Sequence, residues 1–161
     1  MMNDQNDSDR ELHRIAKHES GHVVANWHFC SEIIGVTLCD SDLGGSVWAR
    51  GINQCSVIGS RSQAVITAAG CAAEGLLETT GDDRQRLMNI AQRLHGITAT
   101  GAAIDEEIKN VEVAAIALTR QYALEIEVVA KHLLSFHLMM AAFEREPFDF
   151  TSGDSTAQQS H

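Results

Sequence analysis

The chain has 161 residues, of which 44% are apolar, only 5% are aromatic and one is proline, and its formal net charge is −10. That length suits one domain with a core of its own, and a supply of alanine, leucine and isoleucine leans helical. The charge argues against nucleic acid and anionic membrane surfaces as partners. The opening residues, polar and acidic, do not read as a signal peptide, and no apolar run approaches the length of a bilayer span. Cytoplasm is therefore the expected location.

In chain order, residues 1–10 read as a disordered N-terminus that runs into a capping box, Ser8-Asp9-Arg10-Glu11. Leu12, Ile15, Ala16, Val23 and Trp27 then recur at helical spacing. Inside this predicted helix stands His18-Glu19-Ser20-Gly21-His22. Residues i and i+4 share a helix face, so His18 and His22 can grip one metal ion together. Glu19 projects beside them, where it could take a proton from a water. Zn2+ suits this chemistry, because it acidifies water and polarises a peptide carbonyl. Gly21 weakens the helix by roughly 1 kcal/mol relative to alanine, a loss tolerable where a backbone or a substrate comes close.

Ile33 to Cys39 is rich in β-branched and apolar residues and reads as a strand. A turn at Asp40 to Gly45 and a second strand at Ser46 to Arg50 complete a hairpin. The second strand reads as a sheet edge, either merely solvated or able to bind an extended peptide by β-addition. Arg61 to Glu78 predicts a helix of small residues, in which Ala64, Ala68, Ala72 and Gly75 let a neighbour approach closely. Asp82 with Gln85 resembles a second capping box, and its helix runs to a C-cap at Gly96. Ile104 to Phe143 is amphipathic without proline or glycine and reads as one long helix or two joined by a kink. Residues 146–161 are polar and read as a disordered tail. The fold class predicted is mainly α (α+β): a helical domain over residues 11–145 with a small hairpin and a C-terminal helical bundle.

A catalytic zinc takes three protein ligands and keeps one position open. Glu74, Glu78, Asp82, Asp83 and His95 are the candidates for the third, and spacing does not choose among them. His13, His28, His95, His132 and His137 read as packed or exposed, and none of them is assigned to the metal. Cys30, Cys39, Cys55 and Cys71 are not spaced as a zinc ribbon and read as reduced, partly buried small residues.

The chain also resembles a known family. His18-Glu19-Ser20-Gly21-His22 is similar to the HEAGH motif in the peptidase domain of FtsH-type ATP-dependent zinc proteases. Gly35-Val36-Thr37-Leu38 with Gly44-Gly45-Ser46-Val47 is similar to that family's strand–turn–strand segment. Ala69-Gly70-Cys71-Ala72-Ala73-Glu74 resembles its AGRxAEE helix, with Gly75 standing where the family has a second glutamate. Thr80-Gly81-Asp82-Asp83 and the residues after it resemble its TGxxND helix, although the connection from Glu74 is several residues shorter. The resemblance covers roughly residues 11–145, and the family's ATPase module and transmembrane helices are absent from this sequence.

The resemblance implies a zinc metalloendopeptidase. Zn2+ would be held by His18, His22 and Asp83, with Asp82 the nearest rival for the third place. Glu19 would be the general base, and Glu74 would orient a ligand histidine. Substrate would lie extended along Gly45, Ser46, Val47 and Trp48. Peptides or unfolded proteins would be cut directly, and a separate ATPase would have to feed any stable substrate. Family members form hexameric rings, which leaves homo-oligomerisation open for a chain without the ATPase. The rival expectation is an inactive relative that binds a peptide or a protein partner and keeps the fold.

Overall fold

A computed structural model describes residues 4–39, 44–51, 60–96, 98 and 100–145. Within them the chain is mainly α, with five helices, a two-stranded hairpin and a C-terminal helical bundle. Helix α1 spans Asp4–His28, strand β1 Ser31–Cys39 and strand β2 Gly44–Gly51. Helices α2 (Arg61–Ala73), α3 (Gly81–His95), α4 (Gly101–Gln121) and α5 (Ala123–Arg145) follow. No described helix is long and apolar enough to cross a membrane.

Several boundaries differ from the sequence expectation, each for a local reason. Helix α1 begins at Asp4, ahead of the Ser8 capping box, so that part of the segment expected to be disordered is helical. The small-residue helix α2 stops at Ala73 rather than continuing to Glu78. Glu74 takes the C-cap and Gly75 follows at φ +90°, a left-handed conformation that glycine adopts without steric penalty. At the start of α3 the N-cap is Thr80, so Asp82 lies in the first turn and does not cap it, while Gly96 closes the helix as expected. The long C-terminal segment is two helices. They break at Tyr122, whose hydroxyl meets His28 Nδ1 at 3.1 Å and whose ring stands edge-on to Trp27. The turn at 40–43 and the tail at 146–161 lie outside the described residues.

Packing explains the hairpin's place. β1 and β2 pair antiparallel from Ser31↔Gly51 to Cys39↔Gly44, with an irregularity at Ile34. β1 lies on α1 and α5, where Leu38 joins a cluster with Ala16, Ala130 and Leu134. The largest core cluster joins Ala25 of α1 and Ala64, Val65, Ala68 and Ala69 of α2 to Leu87 and Ile90 of α3 and Ile108, Val111 and Ala115 of α4. With so many alanines, helix axes come close, and two glycines bring α1 and α2 closer still. A Cβ on Gly21 would collide with the Ala69 carbonyl oxygen and stand 2.7 Å from Ala73 Cβ. The helix-weakening glycine in the HESGH segment is thus explained by a neighbouring backbone.

Candidate metal centre

Helix α1 carries His18 and His22 one turn apart, and the Gly21 crossing brings α2 against that same face. Gly70 of α2 lies directly behind the two rings. A Cβ there would stand 2.5 Å from His22 Nε2 and 2.6 Å from His18 Nε2. From the first turn of α3, Asp83 reaches in. Its Oδ2 lies 3.1 Å from His18 Nε2 and 3.2 Å from His22 Nε2, and the two Nε2 atoms are 3.1 Å apart. Three donor atoms on two elements therefore converge on one point.

Hydrogen bonds on the far side of each ring decide what the converging nitrogens can do. His22 Nδ1 donates to the Ile66 carbonyl at 2.8 Å, and that oxygen can only accept. His18 Nδ1 donates to Glu74 Oε1 at 2.5 Å. In a neutral imidazole with its proton on Nδ1, Nε2 is a bare lone pair. Two such lone pairs and a carboxylate oxygen, all about 3.1–3.2 Å apart, repel one another unless a proton or a cation lies among them. Ligands around a tetrahedral zinc at about 2.0–2.1 Å stand about 3.3–3.4 Å from each other. The donor set and its spacing both fit a small divalent cation.

Without a cation, protons take up that role. Burial alone would push the His18 imidazole down, but its hydrogen bonds with Asp83, Cys71 and Glu74 outweigh burial and hold it up at about 10. Burial would raise Asp83, yet its bonds to His18 and His22 dominate and drive it well below the usual carboxylate range. Glu19 behaves differently. It is 4% exposed, and burial raises its pKa against the opposing pull of His22 and His18. No hydrogen bond to its carboxylate is found among the described residues. Burial of this kind disfavours the charged form, so Glu19 holds a proton more readily than a solvated carboxylate does.

Of the residues singled out from the sequence, His18, His22 and Asp83 meet at one point, and Asp82 faces solvent. Glu74 bonds the rear nitrogen of His18 and pairs through its other oxygen with Arg14, which is bound in turn to Glu11. Glu78 and His95 are exposed, and His95 pairs with Glu107 at 3.5 Å. Gly45, Ser46, Val47 and Trp48 lie on β2 opposite Leu38, Thr37, Val36 and Gly35, and among the described residues β2 pairs on this side only.

Three contributors went unrecognised in the sequence. Cys71, expected to be an inert small residue, is buried within hydrogen-bonding reach of His18, and with Glu74 forms a second group of potential metal donors around that ring. Its position, three residues before Glu74 on one helix, was a readable signal. Arg14, four residues before His18, carried the same signal. Gly70 carried only the glycine itself.

Comparison with protein-family models, with curated proteins and with solved structures finds no match for this chain. Fold and site together define a mainly α protein with clustered His, Cys, Asp and Glu side chains able to hold a metal ion.

Proposed function

We propose that this chain is a zinc-dependent metalloendopeptidase that hydrolyses peptide bonds in peptides or unfolded proteins. The observation that carries the reading is the convergence of His18 Nε2, His22 Nε2 and Asp83 Oδ2 within 3.1–3.2 Å of one another, next to the buried carboxylate of Glu19. Three protein ligands of this kind leave a fourth position for water or substrate. Zinc, when bound, supplies an acidified water and polarises the scissile carbonyl.

The chain's own residues do the rest. Glu19 accepts the proton of the attacking water and returns it to the leaving amine, and its burial makes it a better base than a solvated carboxylate. Glu74 keeps the proton of His18 on Nδ1, and Ile66 does the same for His22, so both Nε2 lone pairs stay directed at the cation. An extended substrate would add to β2 along Gly45 to Trp48, backbone to backbone. The likeness of the HESGH, AGCAAE and TGDD segments to FtsH-type peptidases supports the same chemistry. In this reading a separate ATPase would present folded substrates.

The test combines metal content with turnover. One zinc per chain is expected in the wild type, lost in His22→Ala and Asp83→Ala. Glu19→Gln should keep the zinc and lose degradation of unfolded casein by about a hundredfold or more. A zinc-loaded wild type that binds casein but never cleaves it would replace this reading with that of a peptide-binding protein.

A further inference from the structure

Asp83 can complete the cluster only if the first turn of α3 is held in place, and that turn lacks the common means of holding it. Thr80 occupies the N-cap with extended backbone but makes no side-chain capping bond, and Gly81 after it has φ +59°. The anchoring comes from another helix. Glu112 of α4 is 7% exposed, and its Oε1 accepts both the Thr79 N–H at 2.8 Å and Arg84 Nη1 at 3.0 Å. Thr79 precedes Asp83 and Arg84 follows it, so one carboxylate oxygen ties down both ends of the segment that carries the ligand. Cys71 Sγ adds a weaker hold, accepting the Thr80 N–H at 3.5 Å.

We propose that Glu112 is a positioning residue for the metal centre. It sets the Asp83 carboxylate against the two imidazoles from α4, without touching the cation. The inference rests on the metal-centre reading above. A buried carboxylate bonded to a backbone amide and a guanidinium makes charge-assisted bonds, which are short and directional enough to fix a turn. Groups bonded directly to a metal ligand change metal affinity by about ten- to a hundredfold when removed, and the same range is the expectation for a group that holds the turn carrying the ligand.

The experiment is a cobalt(II) titration of the full chain, followed by the visible absorption of the bound ion, with circular dichroism and thermal melting alongside. Glu112→Ala should weaken cobalt binding by about ten- to a hundredfold and change the shape of the band, with the helical signal retained. Glu112→Gln keeps an acceptor for Thr79 and should lose less. Leu134→Ala hollows a cluster that contains no α3 residue, so it should lower the melting temperature and leave cobalt affinity unchanged. Wild-type affinity in Glu112→Ala, or equal weakening in Leu134→Ala, would overturn the positioning role while leaving the metal centre standing. A wild type that binds no cobalt would remove the metal centre and this inference together. If Glu112→Ala does not fold, Arg84→Met decides instead: several-fold weaker binding supports the role and unchanged affinity refutes it.

Discussion

Replacing Gly70 with alanine separates the metal site from the fold more sharply than changing a ligand. The added methyl would stand 2.5 Å from His22 Nε2, 2.6 Å from His18 Nε2 and 2.7 Å from His18 Cε1. Ordinary contact needs about 3.5 Å, so both rings must retreat by about 1 Å. Metal–ligand distances tolerate only about 0.2 Å. The fold should suffer far less. Overpacking of this size destabilises by about 1–3 kcal/mol, and alanine returns about 1 kcal/mol of helix propensity in α2. The net loss expected is about 0–2 kcal/mol, set against a loss of metal affinity beyond about a hundredfold. Urea unfolding reads the first quantity, and cobalt or zinc titration against a chromophoric chelator reads the second. A Gly70→Ala protein that binds metal with wild-type affinity and an unchanged cobalt spectrum would refute the site geometry. So would a variant that fails to fold, because the clash would then lie in the core rather than at the ring nitrogens.

Much of this arrangement was legible in the residues, and the limit of legibility has a physical pattern. The periodicity of α1 and the i, i+4 pair placed His18 and His22 on one face, because those are local properties of a helix. The hairpin was legible for the same reason, with a β-branched run at Ile33 to Cys39 followed by a turn that ends in two glycines. What stayed hidden depends on contacts between distant segments. Asp82 and Asp83 are adjacent acids at one helix start, and spacing did not choose between them. The family resemblance alone pointed to Asp83, and it is the docking of α3 on α2 that turns Asp83 inward and leaves Asp82 in solvent. The break at Tyr122 follows no proline or glycine. It is where α4, packed on α2 and α3, gives way to α5, packed on α1. Glu112 sits on an amphipathic helix like any other acid, and nothing near it in sequence shows that its oxygen holds a turn 33 residues away.

Two further expectations follow from the same contacts. Gly21→Ala meets the Ala69 carbonyl, which is backbone and cannot swing aside, so the α1–α2 crossing must open. A loss of about 1–3 kcal/mol in urea unfolding is expected, and an unchanged midpoint would show that the crossing is looser than described. The pH dependence of the metal-free protein is set chiefly by His18 and Asp83. His18 has its folded pKa raised from 6.5 to about 10, so its contribution is complete below pH 6.5 and is lost as pH rises towards 10. Asp83 has its folded pKa lowered from 3.8, so its contribution is present above that value and is lost as pH falls below it. Glu19, raised from 4.5 by burial, favours folding only while it is protonated, so its contribution begins to be lost as pH rises above 4.5. After chelation, the melting temperature should be highest at about pH 4 to 4.5, ease as Glu19 ionises, and fall further from about pH 6.5 towards pH 10. Zinc reverses the sign, because it requires imidazoles without protons on Nε2, so the stabilisation it adds must grow with pH. Melting scans from pH 5 to 9.5, with chelator and with excess zinc, should therefore diverge as pH rises, and His18→Ala should bring the two curves together. Parallel curves in the wild type would mean that protons and zinc do not compete for this cluster, and the metal centre would have to be sought elsewhere in the chain.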